Sequence, residues 1–428
     1  MTDDVPQRFG TRCVHAGQQP DPETGSIAPP IYQTTSYAFG DADRAADLYA
    51  LETDGNVYSR FDNPTVRMLE RRLADLEGGV DAVATGSGMA ALDAATLILA
   101  EAGDNIVSAS SIYGGTHSYF TKTASRRGIE ARFVDTLDYD AYAEAIDENT
   151  AYVHLETIGN PSLVTPDIER VAEVAHENDT PLFVDNTFAT PALARPLEHG
   201  ADLVWESTTK WIHGSGTTIG GILVDGGSFS WREHAGKYPE IGAENPSFDT
   251  NFAEQFGDRA FTVAARQRAV RSLGDGQAPF DAWQTLQGTE TLSVRMERHC
   301  ENAAEVAAWL DDLPEVSWVT YPGLESHETH ENAEKYLDGG YGGMIAFGLE
   351  GGFEAGKALC EETVLAQFIA NVGDAKTLII HPASTTHAQL SEDAQRESGV
   401  TPDLIRLSVG IEDVRDIIAD LEGGIEAI

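Results

Sequence analysis

The chain has 428 residues, 41% of them hydrophobic, more than one core commonly supports, so two domains are expected. No apolar run reaches the roughly 20 residues needed to span a bilayer, and Met1-Thr-Asp-Asp-Val5 lacks the basic and apolar stretches of an export signal, which predicts a cytoplasmic protein. A formal charge of −42, dispersed through every segment, leaves no basic stripe for nucleic acid and predicts a halophilic surface whose self-repulsion concentrated salt relieves.

Residues 1–62 carry Pro20, Pro22, Gly25, Pro29 and Pro30 with little periodicity, and predict an arm that packs on another surface. From 63 to 280 strands and helices alternate. Strands are expected at Val80–Ala84, Asn105–Ser108, Ala131–Val134, Ala151–Leu155, Pro181–Asp185 and Ala201–Trp205, with helices from Met89, over Ala141–Glu148 and over Ile168–Asn178. That alternation argues a mostly parallel sheet covered on both faces. Gly226 to Asp258 is rich in Gly, Pro, Ser and Asn and reads as a long surface insertion. Helical spacing resumes at Phe261 and runs long over Gln284–Leu310. Strands at Gly343–Gly348 and Leu404–Ser408 then predict a smaller C-terminal α/β domain over 281–428. Cys13, Cys300 and Cys360 are far apart and form no CxxC, so free thiols are expected. His327 and His330 lack the spacing of a zinc-binding HExxH helix, and no metal is expected.

Three segments can carry chemistry. Asp185 follows an apolar run and so stands at the C-terminal end of a strand, where open α/β sheets place ligands. A carboxylate there can keep a pyridine nitrogen protonated, although it can equally cap a turn. Lys210, in Ser207-Thr-Thr-Lys210-Trp211, follows the next strand among hydroxyls that can bind a phosphate; it reads either as a desolvated amine fit for a Schiff base or as a surface lysine. Thr85-Gly86-Ser87-Gly88-Met89 joins a strand to a helix and exposes N–H groups at the helix start, a phosphate site in many α/β proteins. An NAD-dependent oxidoreductase built on this turn would want an acid at the end of the next strand, which instead runs Ile106-Val-Ser-Ala-Ser110.

Tyr58-Ser-Arg60-Phe-Asp-Asn63-Pro64-Thr65, Gly86-Ser-Gly88-Met89-Ala90-Ala91, Tyr113-Gly114-Gly115-Thr116, Glu156-Thr-Ile-Gly-Asn160-Pro161, Asp185-Asn186-Thr187 and Ser207-Thr-Thr-Lys210 occur in one order along the chain. In these motifs the sequence resembles the Cys/Met-metabolism enzymes dependent on pyridoxal 5'-phosphate (PLP), from Thr11 to the C-terminus. The resemblance implies the aspartate-aminotransferase-like fold of PLP-dependent transferases. It implies PLP held by Lys210 as a Schiff base, Asp185 on the pyridine nitrogen and Tyr113 stacked on the ring. Gly88, Met89, Ser207 and Thr209 would hold the phosphate, Asn160 would lie near the phenolic oxygen, and Arg406 would clamp the substrate carboxylate beside Asn160. In the family the counterparts of Tyr58 and Arg60 reach the phosphate in a neighbouring subunit, which implies a homo-oligomer, a tetramer built from dimers that share active sites.

Within the family the chain is most similar to the O-acetylhomoserine sulfhydrylase branch. The shared features are the insertion after Val224-Asp-Gly-Gly227, Gln287-Gly-Thr-Glu-Thr291, Arg295-Met-Glu-Arg-His299, Asn371-Val-Gly-Asp374-Ala-Lys376 and His381-Pro-Ala-Ser384-Thr-Thr-His387. This implies replacement of the acetate of O-acetylhomoserine by sulfide or a small thiol, giving homocysteine, with O-acetylserine to cysteine as a parallel reaction. Cystathionine γ-synthase or γ-lyase and methionine γ-lyase are the alternatives. Lyases carry Ser-Leu-Gly where this chain has Asn371-Val-Gly373, and methionine γ-lyases a cysteine at Gly115. His213-Gly-Ser215 departs from the family's Gly-Gly-His, as His117 does from its usual tyrosine.

Overall fold

The structure is a computed structural model that describes residues 7–245, 248, 250–389, 391, 395 and 399–428. Strands β1 (Asp81–Thr85), β2 (Asn105–Ala109), β3 (Glu130–Val134), β4 (Thr150–Glu156), β5 (Leu182–Asp185), β6 (Leu203–Glu206) and β7 (Gly221–Asp225) form one sheet, ordered β1-β7-β6-β5-β4-β2-β3. From β3 to β6 the neighbours are parallel, while β7 runs antiparallel to both β6 and β1. All but β3 are buried along their whole length, the consequence of helices on both faces. β7 was not anticipated: Ile222, Leu223 and Val224 are too short an apolar run to separate from the Gly-rich segment that follows.

That segment differs from the expected surface insertion. Among its polar residues Phe229, Trp231, Tyr238, Ile241 and Phe252 are buried. Trp231 stacks on Phe261 with ring centroids 5.4 Å apart, and the Tyr238 hydroxyl donates to the Ala151 carbonyl at 3.0 Å. Large rings at irregular spacing anchor it, a pattern with no period for a sequence reading to find. A short ladder, β8 (Glu244–Asn245) with β9 (Thr250–Asn251), lies within it.

The arm holds two short helices, Phe9–His15 and Ala42–Tyr49. It is tied to helix Pro64–Glu77 through buried Arg72, whose guanidinium donates to the carbonyls of Ala16 at 2.9 Å and Val14 at 3.2 Å and to the Gln18 amide oxygen at 2.7 Å. A second sheet comprises β10 (Val316–Thr320), β11 (Met344–Leu349), β12 (Gln367–Phe368), β13 (Leu378–Ile380) and β14 (Leu404–Ser408), ordered β10-β11-β14-β13-β12. The long helical stretch before it is two helices, Pro279–Glu290 and Leu292–Asp311, broken at Thr291. The second carries Arg295, His299 and Asn302 on its buried side. They reach the carbonyls of Trp211 and Ile212, of Val409, and of Gly410 and Glu412, so this helix fastens the two sheets' loops together.

Candidate active site

Three neighbouring parallel strands end on acids: Glu156 on β4, Asp185 on β5 and Glu206 on β6. Glu156 and Asp185 are register partners and share a face of the sheet. Asp185 is buried, and its Oδ1 accepts the Thr187 N–H at 2.9 Å. Burial pushes its carboxyl above the ordinary range, the Thr187 bonds pull the other way, and a cation placed before it would favour the charged form. Four residues past β6, the Lys210 amine donates to Asn371 Oδ1 at 2.6 Å. Burial first, and then the Arg406 charge, hold Lys210 below an ordinary lysine.

The helix Gly88–Leu99 starts beside the same turn. Ser87 caps it by accepting the Ala90 N–H on its side chain. Among the described residues no acceptor meets the N–H groups of Gly88 and Met89, and the Ser207 hydroxyl has no partner. A Cβ on Gly88 would lie 2.8 Å from Ser207 Cβ, so only glycine lets the helix start come this close to the 207–210 turn. Unmatched donors converging at the end of a 12-residue helix suit a phosphate. Thr209 differs from its neighbours: its hydroxyl already donates to the Gly220 carbonyl and accepts the Gly220 N–H, both at 3.1 Å.

Above the acids stand Tyr113, Asn160 and Arg406. The Tyr113 side chain is exposed to 47%, over a Gly115 whose Cβ would sit 2.2 Å from the ring; a cysteine here would force the ring to move. Glu156 positions this loop, accepting the backbone N–H of Tyr113 at 2.6 Å and of Asn160 at 3.1 Å. Arg406, in the middle of β14, donates to Asn160 Oδ1 at 3.0 Å. Among the described residues no carboxylate pairs with this guanidinium, which burial holds below the usual arginine range. The residues therefore fit PLP and an amino acid: a lysine, an acid for a ring nitrogen, free donors for a phosphate and an unpaired guanidinium for a carboxylate.

The family of Cys/Met metabolism PLP-dependent enzymes matches residues 10–426. The chain belongs to this family. Homocysteine synthase of Schizosaccharomyces pombe is 50% identical to it over 422 residues, covering 98% of each chain. O-acetyl-L-homoserine sulfhydrylase 1 of Thermus thermophilus is 48% identical over 418 residues, 97% of this chain and 99% of that one. A crystal structure described as O-acetylhomoserine (thiol)-lyase from Campylobacter jejuni, containing N'-pyridoxyl-lysine-5'-monophosphate, superposes with a TM-score of 0.95 at 38% identity, over 98% of this chain and 100% of that one.

As a Cys/Met-metabolism enzyme the chain uses PLP, and an oxidoreductase on the Gly86 turn is set aside. The fold brings together Lys210, Asp185, Tyr113, Asn160, Arg406, Gly88, Met89, Ser207 and Thr209. Tyr58 and Arg60 lie on the arm, where the Arg60 guanidinium rests 5.7 Å from the Tyr58 ring centre and 5.0 Å from that of Phe61. Sequence reasoning gave no role to Glu156, Asn371 or Arg295. Asn371 and Arg295 lay in motifs quoted as branch markers, and Arg295 donates to the carbonyls of Trp211 at 2.6 Å and Ile212 at 2.9 Å, directly after Lys210. Gly373, with φ +76°, brings the Asn371 loop onto that same backbone, where a Cβ would lie 2.6 Å from Trp211 N.

Proposed function

We propose that the protein replaces the acetate of O-acetyl-L-homoserine with sulfide or a small thiol, giving L-homocysteine and acetate. The observation that carries this reading is a desolvated Lys210 amine under the charge of a carboxylate-free Arg406, with buried Asp185 closing the strand next to β6, in a family whose relatives named above are homocysteine synthases and O-acetylhomoserine sulfhydrylases. Bound PLP supplies an electron sink joined to the substrate amine. Lys210 would hold that cofactor, Asp185 would keep its ring nitrogen protonated, and Gly88, Met89 and Ser207 would bind its phosphate. Arg406, oriented by Asn160, takes the substrate carboxylate in a two-pronged grip. The Lys210 amine, neutral more readily than an exposed lysine, accepts the proton from the α-carbon and returns one later. The γ-carbon–oxygen bond breaks with its electron pair leaving on acetate. Hydrosulfide then forms the γ-carbon–sulfur bond, and the substrate amine and carboxylate are unchanged overall.

Tyr58 and Arg60, which pack on each other and on Phe61, would serve the phosphate of a second copy, making the working unit a dimer or a tetramer of dimers. Residues 63–280 would act as the cofactor domain and 281–428 as the smaller domain. The dispersed acidic surface supports work in concentrated salt. Incubation with PLP and O-acetyl-L-homoserine, with and without sulfide, tests the reaction. Sulfide-dependent homocysteine with little 2-oxobutanoate is expected. Keto acid formed regardless of sulfide would move the protein to the lyases.

A further inference from the structure

Glu77 and Glu206 have no part in the chemistry above, yet both are completely buried. Glu77 ends the helix Pro64–Glu77, and Glu206 ends β6, four residues before Lys210. Neither Glu206 oxygen accepts a bond from any N–H or hydroxyl, and Glu77 Oε2 is equally without one. The group that Glu206 faces is the Glu77 carboxyl itself. Glu77 Oε1 accepts from Asn186 Nδ2 at 2.8 Å, and Asn186 is fixed in turn by donating to the Ala194 carbonyl at 2.9 Å and accepting from the Thr157 hydroxyl at 2.8 Å.

Two ionised carboxylates in contact in a dry interior, one of them without a single donor, would be prohibitively costly. A carboxyl-to-carboxyl contact becomes a hydrogen bond only when one partner holds a proton. Asn186 and the more distant Arg195 favour charge on Glu77, with Glu198 opposing; Glu206 sees only the acids Glu77 and Asp185. We infer that Glu206 stays protonated and donates its O–H to an ionised Glu77, and that this single shared proton fastens the end of β6, and with it the Ser207–Lys210 turn, to the helix Pro64–Glu77. Glu206 is then a positioning residue for Lys210, and its neutrality spares Asp185 a second negative neighbour. Burial, with the partner acid adding to it for Glu206, raises both carboxyls.

A carboxyl whose folded value is raised contributes stability that is complete below the ordinary carboxylate range and is lost as pH rises through the raised value. One such proton changes the folded-to-unfolded ratio by about tenfold per pH unit across that window. The functional part of the inference rests on the PLP-site reading; the shared proton does not.

Infrared spectra of the full-length, PLP-loaded protein at neutral pH decide it, comparing wild type with Glu206→Gln, whose amide can still donate to Glu77. The difference spectrum should show one protonated-carboxyl C=O band lost in the variant. The variant should also retain bound PLP to a higher pH, because it has no proton to lose. Glu206→Met, which also removes the proton-holding carboxyl, offers the same band test if Glu206→Gln does not fold. No lost band in either variant overturns the inference. A lost band with an unchanged alkaline limit of PLP retention overturns its positioning part. If the band is lost but O-acetylhomoserine is not converted, the reaction assignment fails and the shared proton stands.

Discussion

Arg406 has one protein partner, the Asn160 amide oxygen, and no carboxylate among the described residues. A guanidinium in that condition is waiting for a planar anion, and lysine, a point charge, cannot supply two parallel bonds. Arg406→Lys should therefore cut kcat/KM for O-acetylhomoserine by about 10- to 150-fold, chiefly through KM, since a lost charge-assisted contact to a carboxylate costs roughly 1.5–3 kcal/mol. Steady-state kinetics at saturating PLP checks this, and an unchanged KM would place the carboxylate elsewhere. Glu156 makes a different demand. It accepts two backbone N–H groups, from Tyr113 and Asn160, and faces Asp185 across the strand register. Glu156→Gln can satisfy one donor but presents an N–H to the other, leaving a buried group unpaired at about 1–3 kcal/mol. Weaker PLP retention and a lower melting temperature are both expected, measured by absorbance after desalting and by calorimetry.

Among the elements, those with a strong period or a sharp boundary were legible. β14 spans Leu404–Ser408 as expected, and β5 ends on Asp185 because an apolar run stops at an acid. Lys210 and the Gly86–Met89 turn could be placed for the same reason: each follows such a strand. Glu156 and Glu206 also close buried strands, but a strand-end acid reads as a turn residue until its partners are seen, and those partners are far away in sequence. Helix Leu292–Asp311 looked continuous with its predecessor because Thr291 carries no Gly or Pro signal. The segment after β7 was obscured by its own composition. Its burial rests on rings, and Trp231 has one face on Phe261 and an edge toward Tyr238, 5.3 Å away. Trp231→Ala should destabilise the fold by about 3–5 kcal/mol, the usual cost of deleting a buried large aromatic. Denaturant unfolding measures it; a cost near zero would return the segment to the surface.

For the whole molecule the governing quantity is charge: 70 acidic residues against 28 basic ones. Many arginines are already committed inside, as Arg67 and Arg266 are to Glu70, and Arg72 and Arg295 to backbone carbonyls, so they do little to offset the exterior. Exposed pairs such as Arg170 with Asp140 add little in water. The surplus carboxylates therefore repel across the folded surface more closely than in the unfolded chain, which penalises folding and the docking of a second equally acidic copy. Salt shortens the reach of that repulsion from about 10 Å at 0.1 M to about 3 Å at 1 M. The melting temperature should accordingly climb steeply over this range in sodium chloride, and the assembly should grow from monomer toward dimer or tetramer in the same interval. Equilibrium sedimentation and calorimetry across a chloride series, repeated with sucrose, separate screening from the general stabilisation that excluded solutes give. Screening requires chloride to outperform sucrose, with most of the gain at the lower concentrations, where the Debye length falls fastest. Maximal stability without salt would mean that the acids are balanced by arrangement rather than by ions.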